Sequence, residues 1–179
     1  MVELGDYIAC IVEGGAERAI IDILLDSNLL YFGRDRLLDG ELIRIRGSKS
    51  FEERYLRKGF KGSITVLRVH DSRRENFALR KEYEHKVNVI NVITAPEIEM
   101  LVILNENRYS NFKKSKKKPS DYCVGNLKLK GVKSYDFVKE YFSDVSKLLS
   151  AIKKYSEISK NRKGEYCLLD LIDSEKIQL

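Results

Sequence analysis

The sequence is poor in the residues that build zinc sites and disulfide frameworks. It contains three cysteines and two histidines in 179 residues. The cysteines are far apart, no Cys-x-x-Cys pair occurs, and His70 and His85 are not spaced like zinc ligands. A zinc site and a disulfide framework are therefore not expected. Cys10 lies within an apolar run and is expected to be a buried thiol.

Long apolar stretches are also missing, so no membrane span is expected. Residues 1–6 include two acids and no long apolar stretch, which does not resemble a secretory signal. These features predict a protein without a membrane partner that stays in the reducing cytoplasm. We see no internal repeat and no low-complexity linker, and the length is typical of one domain. Residues 1–179 are therefore predicted to form a single domain.

Basic residues exceed acidic residues, with 33 Lys and Arg against 27 Asp and Glu and a net charge of +6. A modest positive balance fits a polyanionic partner without requiring one. The charges are interleaved with apolar runs rather than collected in blocks, and this pattern argues against disorder.

Short apolar runs alternate with amphipathic segments along the chain. Strands are predicted at residues 7–12, 29–32, 41–45, 64–70 and 87–93. Helices are predicted at residues 16–25, 50–57, 74–84 and 135–158, and in a segment that opens with Thr94 as N-cap and Pro96 in its first turn. This alternation predicts an α/β fold with a mostly parallel sheet flanked by helices. The apolar segment 166–172 closes the chain and has no assigned type.

Acidic residues follow three of the predicted strands. Glu13 follows the first, Asp71 follows the central strand, and Glu97 and Glu99 follow the next one. Ligands of parallel sheets bind beyond the carboxyl ends of the strands. Carboxylates gathered there suit Mg²⁺ or Mn²⁺, which can hold a phosphodiester and activate water. The helix that starts after Glu13 also directs backbone N–H groups to this place, which suits phosphate.

Three stretches at these positions resemble TOPRIM motifs. Residues 11–17 read Ile-Val-Glu-Gly-Gly-Ala-Glu and resemble the first motif, in which a strand ends in Glu-Gly with a helix behind it. Residues 69–73 read Val-His-Asp-Ser-Arg and resemble the second motif, which is usually Asp-x-Asp. Residues 93–101 resemble the Asn-Pro-x-Phe-Glu-x-Trp-Leu segment of RloB-like TOPRIM proteins. Tyr122-Cys123 and the predicted helix 135–158 also resemble the C-terminal part of that family.

The resemblance implies a TOPRIM-like domain with Rossmann-like layering. Its core would cover about residues 5–107, followed by a basic loop and a C-terminal helical extension over about residues 108–179. The RloB-like group looks related to OLD-family nucleases and implies a metal-dependent nuclease of RNA or DNA. Such a nuclease would serve as a phage-defence or toxin-like effector, with a partner protein such as an ATPase. Glu13, Asp71 and Glu99 would be catalytic, and these three with Glu97 would bind Mg²⁺ or Mn²⁺.

One departure from the TOPRIM pattern leaves two functions open. Arg73 stands where the second Asp of Asp-x-Asp would stand. Either one metal suffices, with Glu97 or Glu99 compensating, or the domain has lost catalysis and is a binding module that docks on nucleic acid or a partner protein. A nucleotide-binding α/β protein of another kind is disfavoured, because neither a Walker lysine motif nor Gly-x-Gly-x-x-Gly occurs.

The candidate carboxylates also have structural interpretations. Asp71 suits the N-cap of the following helix, and Glu97 completes a capping box. Glu99 lacks such an explanation because it lies between two apolar residues. Glu17 is expected to be a helix-start charge that complements the dipole. His70 is either a general base or the end of a strand.

Basic residues form two groups, one of arginines around the central strand and one of lysines after residue 107. The predicted nucleic-acid contacts are Arg46, Arg54, Arg57, Arg73, Lys113, Lys114, Lys116, Lys117 and Lys118. Arginines grip phosphates as bidentate forks, and the lysine run would act through counterion release without reading sequence. Either group can instead be a solvated face. Tyr109, Phe112 and Tyr122 beside the lysine run either stack on bases or pack in the core.

Overall fold

A computed structural model of the chain describes residues 3–57, 59–94, 97–159, 162 and 164–177. In chain order the regular elements are β1 (Tyr7–Val12), α1 (Gly15–Asp26), α2 (Ser48–Phe51), β2 (Ile64–His70), β3 (Val87–Ile93), α3 (Glu97–Asn105), α4 (Tyr109–Ser115), α5 (Pro119–Gly125), α6 (Tyr135–Tyr141) and α7 (Val145–Ile158). A π-helical turn at Glu52–Leu56 follows α2, and a short 3₁₀ turn at Leu168–Leu171 lies near the end. No helix in these ranges is long and apolar enough to cross a membrane.

The three strands form one parallel sheet in the order β1-β2-β3. Every residue of β2 is buried, as expected for a central strand covered on both faces. The sequence prediction of an α/β fold with a parallel sheet flanked by helices is therefore confirmed.

The period of two along the strands divides the apolar side chains between two cores. Ile8, Cys10 and Val12 of β1 face the larger core, where α1 packs against α6 and α3 packs against α5 and α7. Cys10 is fully buried, as its apolar surroundings predict. Ala9 and Ile11 face the smaller core, which contains Phe51 and Phe77.

Irregular segments cover both edges of the sheet. Ile43 donates from its N–H to Cys10 O (2.8 Å) and accepts from Val12 N (3.1 Å), which covers the outer edge of β1. Tyr166 forms the corresponding bridge on β3, and its carbonyl accepts from Ile93 N at 2.8 Å. The predicted strands at 29–32 and 41–45 are wrong, because these residues form only isolated bridges. Their apolar side chains are explained by burial in the cores, which does not require a ladder of strand hydrogen bonds.

The predicted helix at 74–84 is also wrong, because this segment has irregular backbone at residues 75–80 and a turn from residue 81. Phe77 and Leu79 both pack into the smaller core, and a spacing of two suits extended backbone rather than helix. Arg80 further holds the segment to the π-helical turn, since its N–H and its Nε both donate to the Glu52 carboxylate at 2.7 Å.

Two other predicted helices are confirmed only in part. The stretch 135–158 is two helices, because Asp144 begins a new one by accepting from Ser146 N at 3.0 Å. The predicted helix 50–57 begins earlier, at Ser48, and ends in the π-helical turn. The helix predicted after Thr94 is α3, and its apolar residues Ile98, Leu101, Val102 and Leu104 are buried. Pro96 lies outside the described residues.

Candidate metal centre

Strand alternation places a row of polar side chains on the face of the smaller core. Residues 64, 66, 68 and 70 of β2 share this face, and the first two are the apolar Ile64 and Val66. Arg68 and His70 continue the row toward the carboxyl end of the strand. Asn91 of β3 pairs with Arg68 in the sheet register. Glu13 continues the same face from β1, and its N–H donates to Val69 O at 3.1 Å.

The hydrogen bonds of Asn91 fix the tautomer of His70. Arg68 Nη1 lies 3.1 Å from Asn91 Oδ1, and because a guanidinium only donates, this atom is an acceptor. His70 Nε2 lies 3.2 Å from the same oxygen and therefore carries the proton. Nδ1 of His70 is left with a free lone pair, and it is buried without a hydrogen-bond partner among the described residues. His70 itself is only 4% exposed.

Two carboxylates complete a candidate metal centre with His70. Ligand atoms of Glu13, His70 and Glu75 all lie within 4.8 Å of one another, the one such group of three in the part of the chain that the structure describes. Oε2 of Glu13 is buried without a hydrogen-bond partner there, like Nδ1 of His70. The three side chains line a cavity of about 10 Å³, which is room for about one small occupant. Two ligands of one ion lie at most about 4.2 Å apart, so the group needs only a small closing movement.

Two arginines balance the charge of the two carboxylates in this group. Arg68 Nη2 lies 3.1 Å from Glu75 Oε2, and Arg46 Nη1 lies 3.7 Å from Glu13 Oε1. The guanidinium of Arg68 is buried and lies 5.0 Å from the centre of the Phe77 ring. Burial lowers the pKa of His70, and the positive charge of Arg68 lowers it further. The imidazole is therefore neutral at pH 7, the form that binds metals.

The donor set selects among metal ions. One imidazole nitrogen with two carboxylates suits Mn²⁺, Fe²⁺ or Zn²⁺ better than Mg²⁺, which prefers oxygen ligands alone. Asn91 Oδ1 accepts a hydrogen bond from Nε2 of His70, as an outer acceptor does in many histidine metal sites. Of the two ions predicted from the sequence, Mg²⁺ and Mn²⁺, the residues therefore fit Mn²⁺ better.

The other predicted carboxylates belong to a second polar group. Asp71 interacts electrostatically with Glu17 and Lys133, and Lys133 Nζ lies 3.1 Å from Glu99 Oε1. Thr94 donates from Oγ1 to Glu17 Oε1 at 3.3 Å. The predicted ligands therefore lie in two groups. Glu13 lies near His70 and Glu75, whereas Asp71 and Glu99 interact with Lys133. Asp71 caps no helix, because the helix predicted after it is absent. The side chain of Glu97 lies outside the described residues.

Glu17 is more than an exposed charge at the start of α1. Its side chain is buried, and burial raises its pKa, to which the nearby Asp71 also contributes. A Cβ on Gly14 would collide with Glu17 Oε2, and a Cβ on Gly15 would lie 3.1 Å from Tyr135 N. The two glycines after Glu13 therefore allow the close approach of Glu17 on one side and of α6 on the other.

The predicted nucleic-acid arginines have different surroundings, and among them only Arg46 contacts the candidate metal centre. Arg54 lies over the ring of Tyr55 at 5.3 Å from its centre, and Arg57 Nη2 lies 3.5 Å from Glu53 Oε1. Arg73 Nε lies 3.2 Å from Glu165 Oε1. Glu165 precedes the residue that covers the edge of β3, so Arg73 ties the closing segment to the end of β2.

No ion pair or hydrogen bond joins the lysines of the run to Glu13, His70 or Glu75 among the described residues. The predicted basic loop is partly helical, because Lys113 and Lys114 lie in α4. Lys117 Nζ donates to Asn126 Oδ1 at 2.9 Å. Phe112 and Tyr122 pack against each other and against the larger core, which favours the core interpretation of these two rings.

Sequence reasoning missed Arg68, Glu75 and Asn91 as members of the site. The period of two in β2 was a usable signal, because it places Arg68 and His70 on one face. Asn91 was detectable in the same way within the apolar run of β3. Glu75 was hidden, because it lies in a segment that looks helical in the sequence and has irregular backbone in the structure.

Comparison with known proteins does not identify the chain, since no family model, no curated protein and no solved structure matches it.

Proposed function

We propose that the chain is a metal-dependent phosphodiesterase that acts on nucleic acid, with its ion held by Glu13, His70 and Glu75. One observation carries the proposal. Two buried atoms, Glu13 Oε2 and His70 Nδ1, have no hydrogen-bond partner among the described residues, and their residues line one cavity together with Glu75. A buried polar atom without a partner is destabilising, so such a pair is retained where a ligand satisfies it.

The position of the group supports catalysis rather than a purely structural ion. Glu13 directly follows β1 and His70 ends β2, so the group lies at the carboxyl edge of a parallel sheet, where ligands of such sheets bind. An ion there would act as a Lewis acid and lower the pKa of a bound water. Arg46 is 69% exposed beside Glu13 and can contact a substrate phosphate. Arg68 is buried and would instead orient Glu75.

The TOPRIM resemblance supports the same reaction class with a different ligand set. In that hypothesis Glu13, Asp71, Glu97 and Glu99 hold Mg²⁺ or Mn²⁺, and the protein is a phage-defence nuclease of the RloB-like kind. The two ligand sets share Glu13 and differ in the other members. Variants of Glu75 and Asp71 therefore separate them.

A binding module without catalysis is the second candidate. Both carboxylates of the metal group already have an arginine nearby, Arg68 at Glu75 and Arg46 at Glu13. With a neutral His70 the four charges sum to zero, which weakens the attraction for a cation. In this case the protein would bind nucleic acid or a partner without cutting it.

The deciding experiment measures ion binding and cleavage on the full chain. Mn²⁺, Zn²⁺ and Mg²⁺ are titrated calorimetrically into EDTA-treated protein, and labelled single- and double-stranded RNA and DNA are incubated with each ion. We expect Mn²⁺ or Zn²⁺ to bind more tightly than Mg²⁺. Glu13→Gln, His70→Phe and Glu75→Gln should each weaken binding at least about tenfold and abolish cleavage.

Matched controls make the result specific. His85→Asn and Glu84→Gln change the same residue types at exposed positions away from the group and should leave both measurements unchanged. Asp71→Asn should leave ion affinity nearly unchanged in our proposal, whereas the TOPRIM ligand set requires it to fall. Ion binding without cleavage of any substrate would favour the binding module. A wild-type protein that binds none of the three ions would refute the metal centre.

A further inference from the structure

A cleft opens directly beside the candidate metal centre. It is lined by the turn Glu13-Gly14-Gly15 and by three arginines, Arg18, Arg44 and Arg46, and its volume is about 380 Å³. Glu13 and Arg46 line both this cleft and the cavity of the metal centre. Anything that binds between the three arginines therefore lies next to the ligand atoms of Glu13.

The cleft continues into a second one on its far side. The second cleft, of about 410 Å³, shares Arg18 and Arg44 with the first and extends to Arg54 and Tyr55. The two volumes are each in the range of sites for small ligands. Together they form a groove that runs from the metal centre, past Arg18 and Arg44, to Arg54.

The arginines of the first cleft are available for an anionic ligand. Arg44 is exposed and has no ion pair within the described residues. Arg18 lies 3.7 Å from Asp22 through its Nε, a long contact, and Asp22 has a closer partner in Arg34 at 2.8 Å. The first cleft contains one acid, Glu13, against three arginines. Its net positive charge and the forked geometry of guanidinium groups suit a phosphate.

The far part of the groove is less positive. It contains Asp39 and Glu41 in addition to Arg18, Arg44 and Arg54. The strongest attraction for a phosphate is therefore next to Glu13, and a chain of phosphates would be held more weakly toward Arg54. This gradient favours a strand whose reacting phosphate lies by the metal centre.

We propose that this groove binds single-stranded nucleic acid, with one phosphate between Arg18, Arg44 and Arg46 and the strand continuing toward Arg54. Each cleft has the volume of a small-ligand site, which favours a single strand over a duplex. A role for the groove in catalysis rests on the proposed phosphodiesterase function, but binding of the strand does not require the ion. Arg18 and Arg44 thereby become substrate-positioning residues for the reaction at Glu13.

The test measures binding of fluorescein-labelled 12-mers of RNA and DNA, as single strands and as duplexes, by anisotropy, in EDTA and over a series of salt concentrations. We expect Arg44→Gln to weaken binding several-fold and Arg18→Gln with Arg44→Gln to weaken it at least about tenfold. The double variant should also flatten the plot of log affinity against log salt by about 0.7 for each phosphate that the protein no longer neutralises. Lys147→Gln with Lys153→Gln removes the same charge from exposed positions on α7 and should change neither quantity.

Several outcomes separate this inference from the proposed function. Equal losses of affinity in the Arg18/Arg44 variant and the Lys147/Lys153 variant would show general charge attraction and overturn the groove. Duplex bound as tightly as single strand would overturn its preference for a single strand. Arg44 is exposed and has no ion pair within the described residues, so Arg44→Gln should leave the fold intact. An Arg44→Gln protein with a normal melting temperature and unchanged binding would also contradict the inference. Wild-type binding in EDTA without any ion affinity would refute the metal centre and leave the groove intact.

Discussion

His70 and Asn91 are joined by a contact of 3.2 Å between Nε2 and Oδ1 across neighbouring strands. Because Arg68 also donates to this Oδ1, the contact decides which nitrogen of His70 carries the proton. It leaves Nδ1 without a hydrogen-bond partner among the described residues, and His70 lines a cavity together with Glu13 and Glu75. The metal centre that we propose therefore depends on an amide that would not touch the ion.

Replacing Asn91 tests this dependence. Asn91→Leu removes the acceptor, so His70 is no longer held in one tautomer, and we expect Mn²⁺ affinity to fall by about 10- to 100-fold. Asn91→Asp keeps an acceptor at the same position and should retain or increase the affinity. The tautomer is followed by nitrogen chemical shifts of the imidazole, and the affinity by calorimetry. Equal affinities in the two variants would show that Asn91 does not position His70 for an ion.

Glu17 provides a prediction about stability and pH. Burial raises its pKa above the ordinary value, and Asp71 adds to this effect. A group with a raised pKa in the folded state contributes its stability below the unfolded pKa, and that contribution is lost as the pH rises through the folded value. Glu17→Gln should therefore increase the free energy of unfolding at pH 7, and the gain should disappear below about pH 4. Urea unfolding of both proteins at several pH values measures the difference.

The Glu17 prediction has a control on the same helix. Arg18→Gln changes an adjacent and more exposed residue and should not reproduce the pH-dependent gain. A Glu17→Gln protein that is less stable than wild type at pH 7 would show that the ionised carboxylate is held by favourable contacts. Thr94 and Lys133 would be the partners concerned, because both lower the pKa of Glu17.

The sequence was informative about the sheet and less so about the segments around it. The three strands and α1 follow from runs whose period and length have one interpretation, and they appear within a residue or so of the predicted bounds. The strand predicted at 29–32 and the helix predicted at 74–84 were wrong, because burial of Leu30 and Phe77 produces apolar patterns without regular hydrogen bonding. Local patterns do not distinguish an apolar loop from a short strand.

The candidate site was also predictable only in part. The position of Glu13 after β1 was predictable, since strand and turn are local features. The grouping of Glu13 with Glu75 was not, because it depends on how an irregular segment folds back along Arg68 and Phe77. The pairing of Arg73 with Glu165 was equally hidden, because 92 residues separate them in the chain.

The lysine run remains a predicted nucleic-acid contact and can be tested by ligand length. Its lysines lie in and after α4, and among the described residues none of them has an ion pair or hydrogen bond with Glu13, His70 or Glu75. Replacing Lys113, Lys114, Lys116, Lys117 and Lys118 by Gln should therefore weaken binding of a long strand and flatten its salt dependence by up to about 3.5 units. Binding of a very short oligonucleotide in the groove should be nearly unchanged. Identical salt dependence of wild type and variant on the long strand would show a solvated surface.

Arg73→Asp distinguishes two roles for position 73, a lost metal ligand and an ion-pair partner of Glu165. The TOPRIM pattern makes this position a lost metal ligand, for which Arg73→Asp should increase ion affinity. In the structure Arg73 Nε instead lies 3.2 Å from Glu165 Oε1, and both side chains are partly shielded. Arg73→Asp would then place two carboxylates together, and we expect a loss of about 1 kcal/mol in the free energy of unfolding. Mn²⁺ affinity should stay within about threefold of wild type, because a charge outside the ligand group is screened.

A charge exchange completes the Arg73 test. The double variant Arg73→Asp with Glu165→Arg restores an opposite pair, so it should recover much of the stability that Arg73→Asp loses. Arg73→Ala serves as the reference, because it removes the ion pair without adding repulsion. Urea unfolding gives the stabilities, and calorimetry gives the Mn²⁺ affinity of each protein. A gain of tenfold or more in Mn²⁺ affinity for Arg73→Asp, absent from Arg73→Ala, would place a ligand position at residue 73. It would favour the TOPRIM ligand set around Asp71 over the group formed by Glu13, His70 and Glu75.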